Sequence, residues 1–179
     1  MAKRHGEFLE QGARVFAISA DTPPMNAAIV EKLALPFPFL SDTDRDHAIT
    51  PLGFADEKDP REISRPGAAV VSPEAEVVYT MIGRDYADRP EETVLLEQVS
   101  ALGLNPTSQD PPVLGEIAAG EKAMPYEGLP HYFRGAKFAS LAIRGRHRDL
   151  EDVVEDTRAY TEMVERYLDA LSDVEDRKA

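Results

Sequence analysis

Apolar and polar positions alternate most legibly between Ser64 and Gly83, SRPGAAVVSPEAEVVYTMIG. Two apolar runs, Ala68–Val71 and Val77–Ile82, flank the turn formers Ser72 and Pro73, which predicts an antiparallel hairpin. Ahead of it, Lys3–Gln11 has the pattern of a short helix with Phe8 and Leu9 inward and Gly12 as its stop. Ala13–Ser19, ARVFAIS, is apolar almost throughout, as a strand buried on both faces of a parallel sheet would be. Asp21-Thr22-Pro23 then starts a second helix, a capping side chain followed by proline at the first helical position, and Met25, Ala28, Ile29 and Leu33 recur at helical spacing. Leu35–Leu40 carries prolines that remove ladder donors, so it is a short edge strand or an extended connection. Phe54–Ile63 is a polar surface excursion, Asp85–Arg89 a loop, and Pro90–Leu102 a helix with Val94, Leu95, Val99 and Leu102 on one stripe.

The pattern then changes. Asn105–Pro112, NPTSQDPP, has the proline and polar content of a linker, dividing the chain into residues 1–104, a linker at 105–112, and a helical C-terminal extension at 113–179. In the extension, His131–Arg144 predicts one helix and Arg148–Ser172 a longer one, whose stripe from Leu150 through Val164 to Leu171 seeks a partner. That stripe packs within the protein or serves a homodimer. It spans too few heptads for a coiled coil.

Charge narrows the classes of partner. The 33 acidic against 20 basic side chains give a formal net charge of −13, a surface that repels phosphate backbones and anionic lipids, so neither nucleic acid nor membrane is expected as a partner. Such acidity also suits a cell with high internal salt. No apolar run approaches the ~20 residues that span a bilayer, and Met1–Glu7 is not followed by an apolar segment, so a cytoplasmic location is expected.

The 179 residues contain no cysteine, which removes disulfides, thiolate metal ligands and thiol nucleophiles from their chemistry. Asp42, Asp44 and Asp46 offer a D-x-D-x-D pattern, but His47 stands where a calcium loop needs glycine and Gly53 where it needs a bidentate Glu. The expected role of this run is to cap a helix over Ala48–Leu52. His5, His47, His131 and His147 lack metal-ligand spacing, Ser19, Ser41 and Ser64 lack a nucleophile-elbow context, and no phosphate loop or dinucleotide fingerprint occurs. No cofactor or metal is expected.

Taken together, VFAISAD at 15–21, LALPFPFLSD at 33–42, the hairpin segment at 64–83 and DYADRPEE at 85–92 resemble the peroxiredoxin-like redoxins of the alkyl hydroperoxide reductase and thiol-specific antioxidant family. The resemblance covers about Lys3 to Leu102. It implies an α/β, thioredoxin-like fold, incomplete at the N-terminus, because the family's first strand and cysteine loop precede the segment matched by Lys3–Gln11. It also implies thiol-dependent hydroperoxide reduction, an activity this chain is expected to lack without the peroxidatic cysteine; a hydroperoxide would be its substrate only with the missing part. The alternative is a cysteine-free binding or assembly module. By family match alone, Arg65 is a vestigial catalytic arginine, whose guanidinium would stabilise a thiolate and orient peroxide oxygen. Pro66, with Thr22, is a candidate binding position, and Pro66 is expected in the cis form. With the central strand of such a sheet missing, Ala13–Ser19 is expected to close the gap by pairing with Gly67–Val71, the C-terminal helices covering the exposed apolar face.

Overall fold

A computed structural model describes residues 1–84, 88–110, 117–120 and 124–178. Five helices and four strands follow in the order α1 (His5–Glu10), β1 (Ala17–Ser19), α2 (Pro23–Leu33), β2 (Phe39–Ser41), β3 (Gly67–Val71), β4 (Val77–Ile82), α3 (Glu92–Ser100), α4 (Gly128–Arg146) and α5 (Glu151–Lys178) among the described residues. The architecture is mixed α/β. It divides into one unit of Met1–Glu31 with Leu35–Ala123 and a second of Lys32–Ala34 with Met124–Ala179. Part of the predicted Asp85–Arg89 loop, the linker's Pro111 and Pro112, and the start of the extension at Val113 lie outside the described residues.

The first unit holds two separate two-stranded sheets. β1 and β2 run parallel, with Ile18 opposite Leu40, whereas β3 and β4 are antiparallel, with Val70 opposite Tyr79 and a bulge between Val70 and Val71. The hairpin turn is closed by Ser72: its N–H donates to Glu76 O at 2.8 Å, and its hydroxyl accepts the N–H of Glu74 at 3.2 Å. Phe8 of α1 and Leu95, Leu96 and Val99 of α3 form a core with Val15, Phe37 and Val70. Gly12, at φ +82°, ends the α1 turn in a conformation that glycine tolerates without a Cβ penalty. Residues 105–110 run along this unit: Thr107 N–H donates to Leu9 O at 2.9 Å, and Gln109 Oε1 accepts the Val15 N–H at 2.9 Å.

Three expectations are corrected. β1 is not flanked on both edges, and Phe16 and Ile18 are 43% and 38% exposed, so the apolar run ARVFAIS marks a strand with one neighbour and an uncovered side. β1 does not pair with β3: each bonds only its own hairpin or crossover partner, and the expected closure does not occur. The Arg65–Pro66 peptide is trans. Both flanking groups are held by extended pairing, with the Arg65 N–H on Phe54 O at 2.7 Å and Pro66 O accepting the Gly83 N–H at 2.7 Å, and nothing there offsets the ordinary preference for trans.

The second unit contains α4 and α5, packed on one another. Ser140 of α4 is buried and donates to Thr157 O at 2.9 Å, while Thr161 Oγ1 lies 3.2 Å from the Ser140 hydroxyl, so small polar side chains let the two helices approach closely. Met163, Val164, Leu171 and Val174 are the buried stripe of α5. Tyr126 O–H donates to Leu171 O at 2.5 Å, and Phe133 stacks on Tyr167 at 5.3 Å between centroids. On α4, Phe138 and Ile143 are 67% and 46% exposed, and the small buried Ser140 is the residue that meets α5.

Candidate functional site

The first unit holds a cleft of about 1120 Å3 lined by residues of β1, β2 and β3. Phe8, Leu95 and Val99, all buried, form its floor; Phe16, Ile18 and Val71, all exposed, stand along its walls. Among the described residues of the lining, the charged side chains are Arg14, Arg65 and Arg89, and none is Asp or Glu. The described lining is therefore mainly apolar, and one of its arginines, Arg14, lies 3.8 Å from Asp110.

Both walls present open backbone edges. In β1, the Ala17 N–H donates to Pro38 O and Ser19 O accepts from Asp42 N–H, so the N–H and C=O of Ile18 point away from β2. In β3, the pairing of Pro66 O with Gly83 N–H sets the alternation that turns the backbone groups of Gly67 and Ala69 away from β4. None of these outward groups has a protein partner among the described residues.

Arg65 enters the cleft from the segment before β3. Its Nη2 lies 3.5 Å from Gly53 O, at the long limit of a hydrogen bond, and its Nε is buried without a partner among the described residues. Pro66 lines the same cleft. Thr22 does not: it is exposed at the start of α2, where its carbonyl accepts the N–H groups of Met25 and Asn26. The structure brings Arg65 and Pro66 together and leaves Thr22 apart.

The Asp42–Asp46 run performs a backbone task. Asp42 is 3% exposed; its Oδ1 accepts the His47 N–H at 3.2 Å, and its Oδ2 accepts those of Ala48 and Ile49 at 2.9 and 2.8 Å. Burial pushes this carboxyl up, but the three N–H groups and nearby His47 outweigh it and hold it below the ordinary carboxylate range. The capped segment is a series of turns and not the expected helix. Among the described residues, no group of three or more His, Asp or Glu is placed to hold a metal ion.

Two buried polar residues escaped sequence reasoning. Asn26, 1% exposed, accepts from the Ser19 hydroxyl and donates to Leu40 O and Ser41 Oγ, tying α2 to both strands of the parallel sheet. His5, 8% exposed, places Nε2 3.0 Å from Gln109 Oε1 and its ring 5.7 Å from that of Phe37. Only the apolar neighbours Ala28 and Phe8, one helical turn or less away, could have pointed to either.

Residues 1–80 match the AhpC/TSA family. Over these residues the chain is similar to that family. The match takes in β1, β2, β3 and most of β4, with Arg65 and Pro66, and stops before α3. No curated protein matches the chain. The matched residues contribute both strand walls of the cleft, while residues beyond them supply Arg89 and the floor residues Leu95 and Val99. No helix among the described residues is long and apolar enough to cross a membrane.

Proposed function

We propose that this is a thioredoxin-like protein of the hydroperoxide-reducing redoxin class whose 179 residues hold the arginine side of the reaction site but perform no thiol peroxidase chemistry. The observation that carries this reading is the pairing of an AhpC/TSA match containing Arg65 with a complete lack of cysteine. The order α-β-α-β-β-α, with a parallel pair followed by an antiparallel pair, supports the thioredoxin-like assignment. Reduction of a hydroperoxide by this class proceeds by thiolate attack on the distal peroxide oxygen, which leaves a sulfenic acid and releases an alcohol or water. Arg65 could orient the oxygens, because its guanidinium is a fixed set of donors, but it cannot supply the electron pair.

The test is turnover. The purified chain, with hydrogen peroxide or cumene hydroperoxide and a dithiol reductant, should consume peroxide no faster than buffer. Peroxidase turnover that disappears in Arg65→Ala would overturn the reading.

A second reading, a cysteine-free binding module, is favoured by the cleft itself. Its apolar lining suits recognition, and the described lining residues include no carboxylate or histidine to serve as an acid or base.

A further inference from the structure

One helix face of the second unit is uncovered. α4 turns Phe133, Lys137 and Ser140 toward α5, through the ring contact with Tyr167, an ion pair of 2.6 Å with Glu165 and the bond to Thr157 O. Its opposite side holds Tyr132, Gly135, Ala139, Ala142 and Arg146, spaced as one helical stripe, and all five are exposed. Phe138 and Ile143 border that stripe and are exposed as well. We propose that this face of α4 docks on the same face of a second copy of the chain, in an antiparallel crossing centred on Ala139, to make a dimer. These residues lie beyond the AhpC/TSA match, so the inference stands apart from the redoxin reading.

Self-complementarity selects the partner. A two-fold contact sets each position against its mirror about the axis. With Ala139 on the axis, Gly135 meets Ile143 of the second copy, four residues to either side of the centre. A Cβ built at Gly135 finds nothing within 4 Å, so the space above it is open to that side chain. Seven residues out, Tyr132 meets Arg146 of the second copy, whose guanidinium fits over the ring. Arg146 is available for this, since it forms no ion pair among the described residues. Ala139 against itself permits the ~8–10 Å axial separation of packed helices.

Charge favours the same face. Residues 128–148 contain no Asp or Glu, the longest such run in a chain with 33 of them. Contact through the outer side of α5 would instead set Glu151, Glu155, Glu162 and Asp169, all exposed, against their own copies. The net charge of −13 still opposes association at longer range, and salt weakens that opposition by shortening the screening length from about 8 Å at 0.15 M to about 3 Å at 1 M. An anionic lipid surface is the poorer occupant, because Gly135, Ala139 and Ala142 offer little apolar area to insert and the chain as a whole is repelled. The contact is small: Tyr132 to Arg146 spans about 21 Å of helix, which places a single helix pair at the lower end of specific interfaces and its Kd at about 1–100 µM.

The experiment is sedimentation equilibrium of the full chain from about 5 to about 500 µM, in about 0.15 M and about 1 M NaCl. The proposal expects a reversible monomer–dimer equilibrium that tightens about threefold or more in the higher salt and weakens about tenfold or more in Ala139→Arg, which sets like charges on the axis. Since Ala139 is exposed in the monomer, Ala139→Arg should melt like the parent at low concentration. In a chain without cysteine, Ala139→Cys should give a disulfide-linked dimer on mild oxidation, and Ala159→Cys, exposed on α5, should give much less. A monomer throughout the concentration range, a dimer indifferent to Ala139→Arg, or equal cross-linking of the two cysteine variants would overturn the proposal. Binding of a monomeric chain to phosphatidylglycerol vesicles, lost in about 1 M NaCl and strengthened by Ala139→Arg, would overturn it in favour of a lipid surface.

Discussion

The Ser19 hydroxyl donates to the side-chain oxygen of Asn26 at 2.9 Å, joining the end of β1 to the first turn of α2. The Asn26 amide nitrogen is then left to bond Leu40 O and Ser41 Oγ in β2, at 3.1 and 2.9 Å. One buried side chain thus holds a three-residue strand pair and a helix together, where so short a ladder alone would be marginal. Asn26→Ala should lower unfolding free energy by about 2–4 kcal/mol, because it removes three bonds and strands buried partners. Ser19→Ala should cost about 1 kcal/mol. Chemical denaturation checks both, and a neutral Asn26→Ala would refute this role.

Asp42 makes stability depend on acid. Its folded carboxyl sits below the ordinary range, so its contribution is complete above the unfolded value near pH 4 and is lost as pH falls through the folded value. Thermal stability of the native chain should drop as pH is lowered from about 5 to about 2. Asp42→Asn should be less stable at pH 7 and show a shallower drop over that range, since the amide oxygen can replace only one of two acceptors. An identical slope in the two proteins would remove Asp42 from the explanation.

Gly67 opens β3 where no side chain fits. A Cβ there would collide with the backbone carbonyl of Met81 and stand 2.5 Å from the Phe54 ring. Gly67→Ala should destabilise the protein by roughly 1–3 kcal/mol through overpacking, read from the denaturation midpoint. The more open Gly6, with nothing within 4 Å of the added carbon, is the control, and Gly6→Ala should not lower the midpoint.

The hairpin and the start of α2 were legible because they rest on local chemistry, whereas α5 runs to Lys178, past the expected end at Ser172. Ser72 and Pro73 announce the turn, Pro23 opens α2 where expected, and Leu95 and Val99 are buried on α3 as their spacing predicts. The failures are tertiary. Val15, Phe16 and Ile18 are equally apolar in sequence, yet only Val15 is buried, since the number of strands beside β1 is set by the rest of the chain. Arg65 and Pro66 were found through family resemblance, and the cleft they border became visible only when β1 and β3 stood apart. His5 and Asn26 gave no periodic signal because a polar residue is buried only where partners await it.

The account rests on two separate sheets with open edges on one cleft, and residue-resolved amide hydrogen exchange of the unliganded chain tests it most directly. The amides of Ala17, Ala68 and Val70, which are paired within their own sheets, should be protected, while those of Ile18 and Ala69 exchange at least about tenfold faster. Equal strong protection of Ile18 and Ala69, as in one continuous sheet, would contradict it.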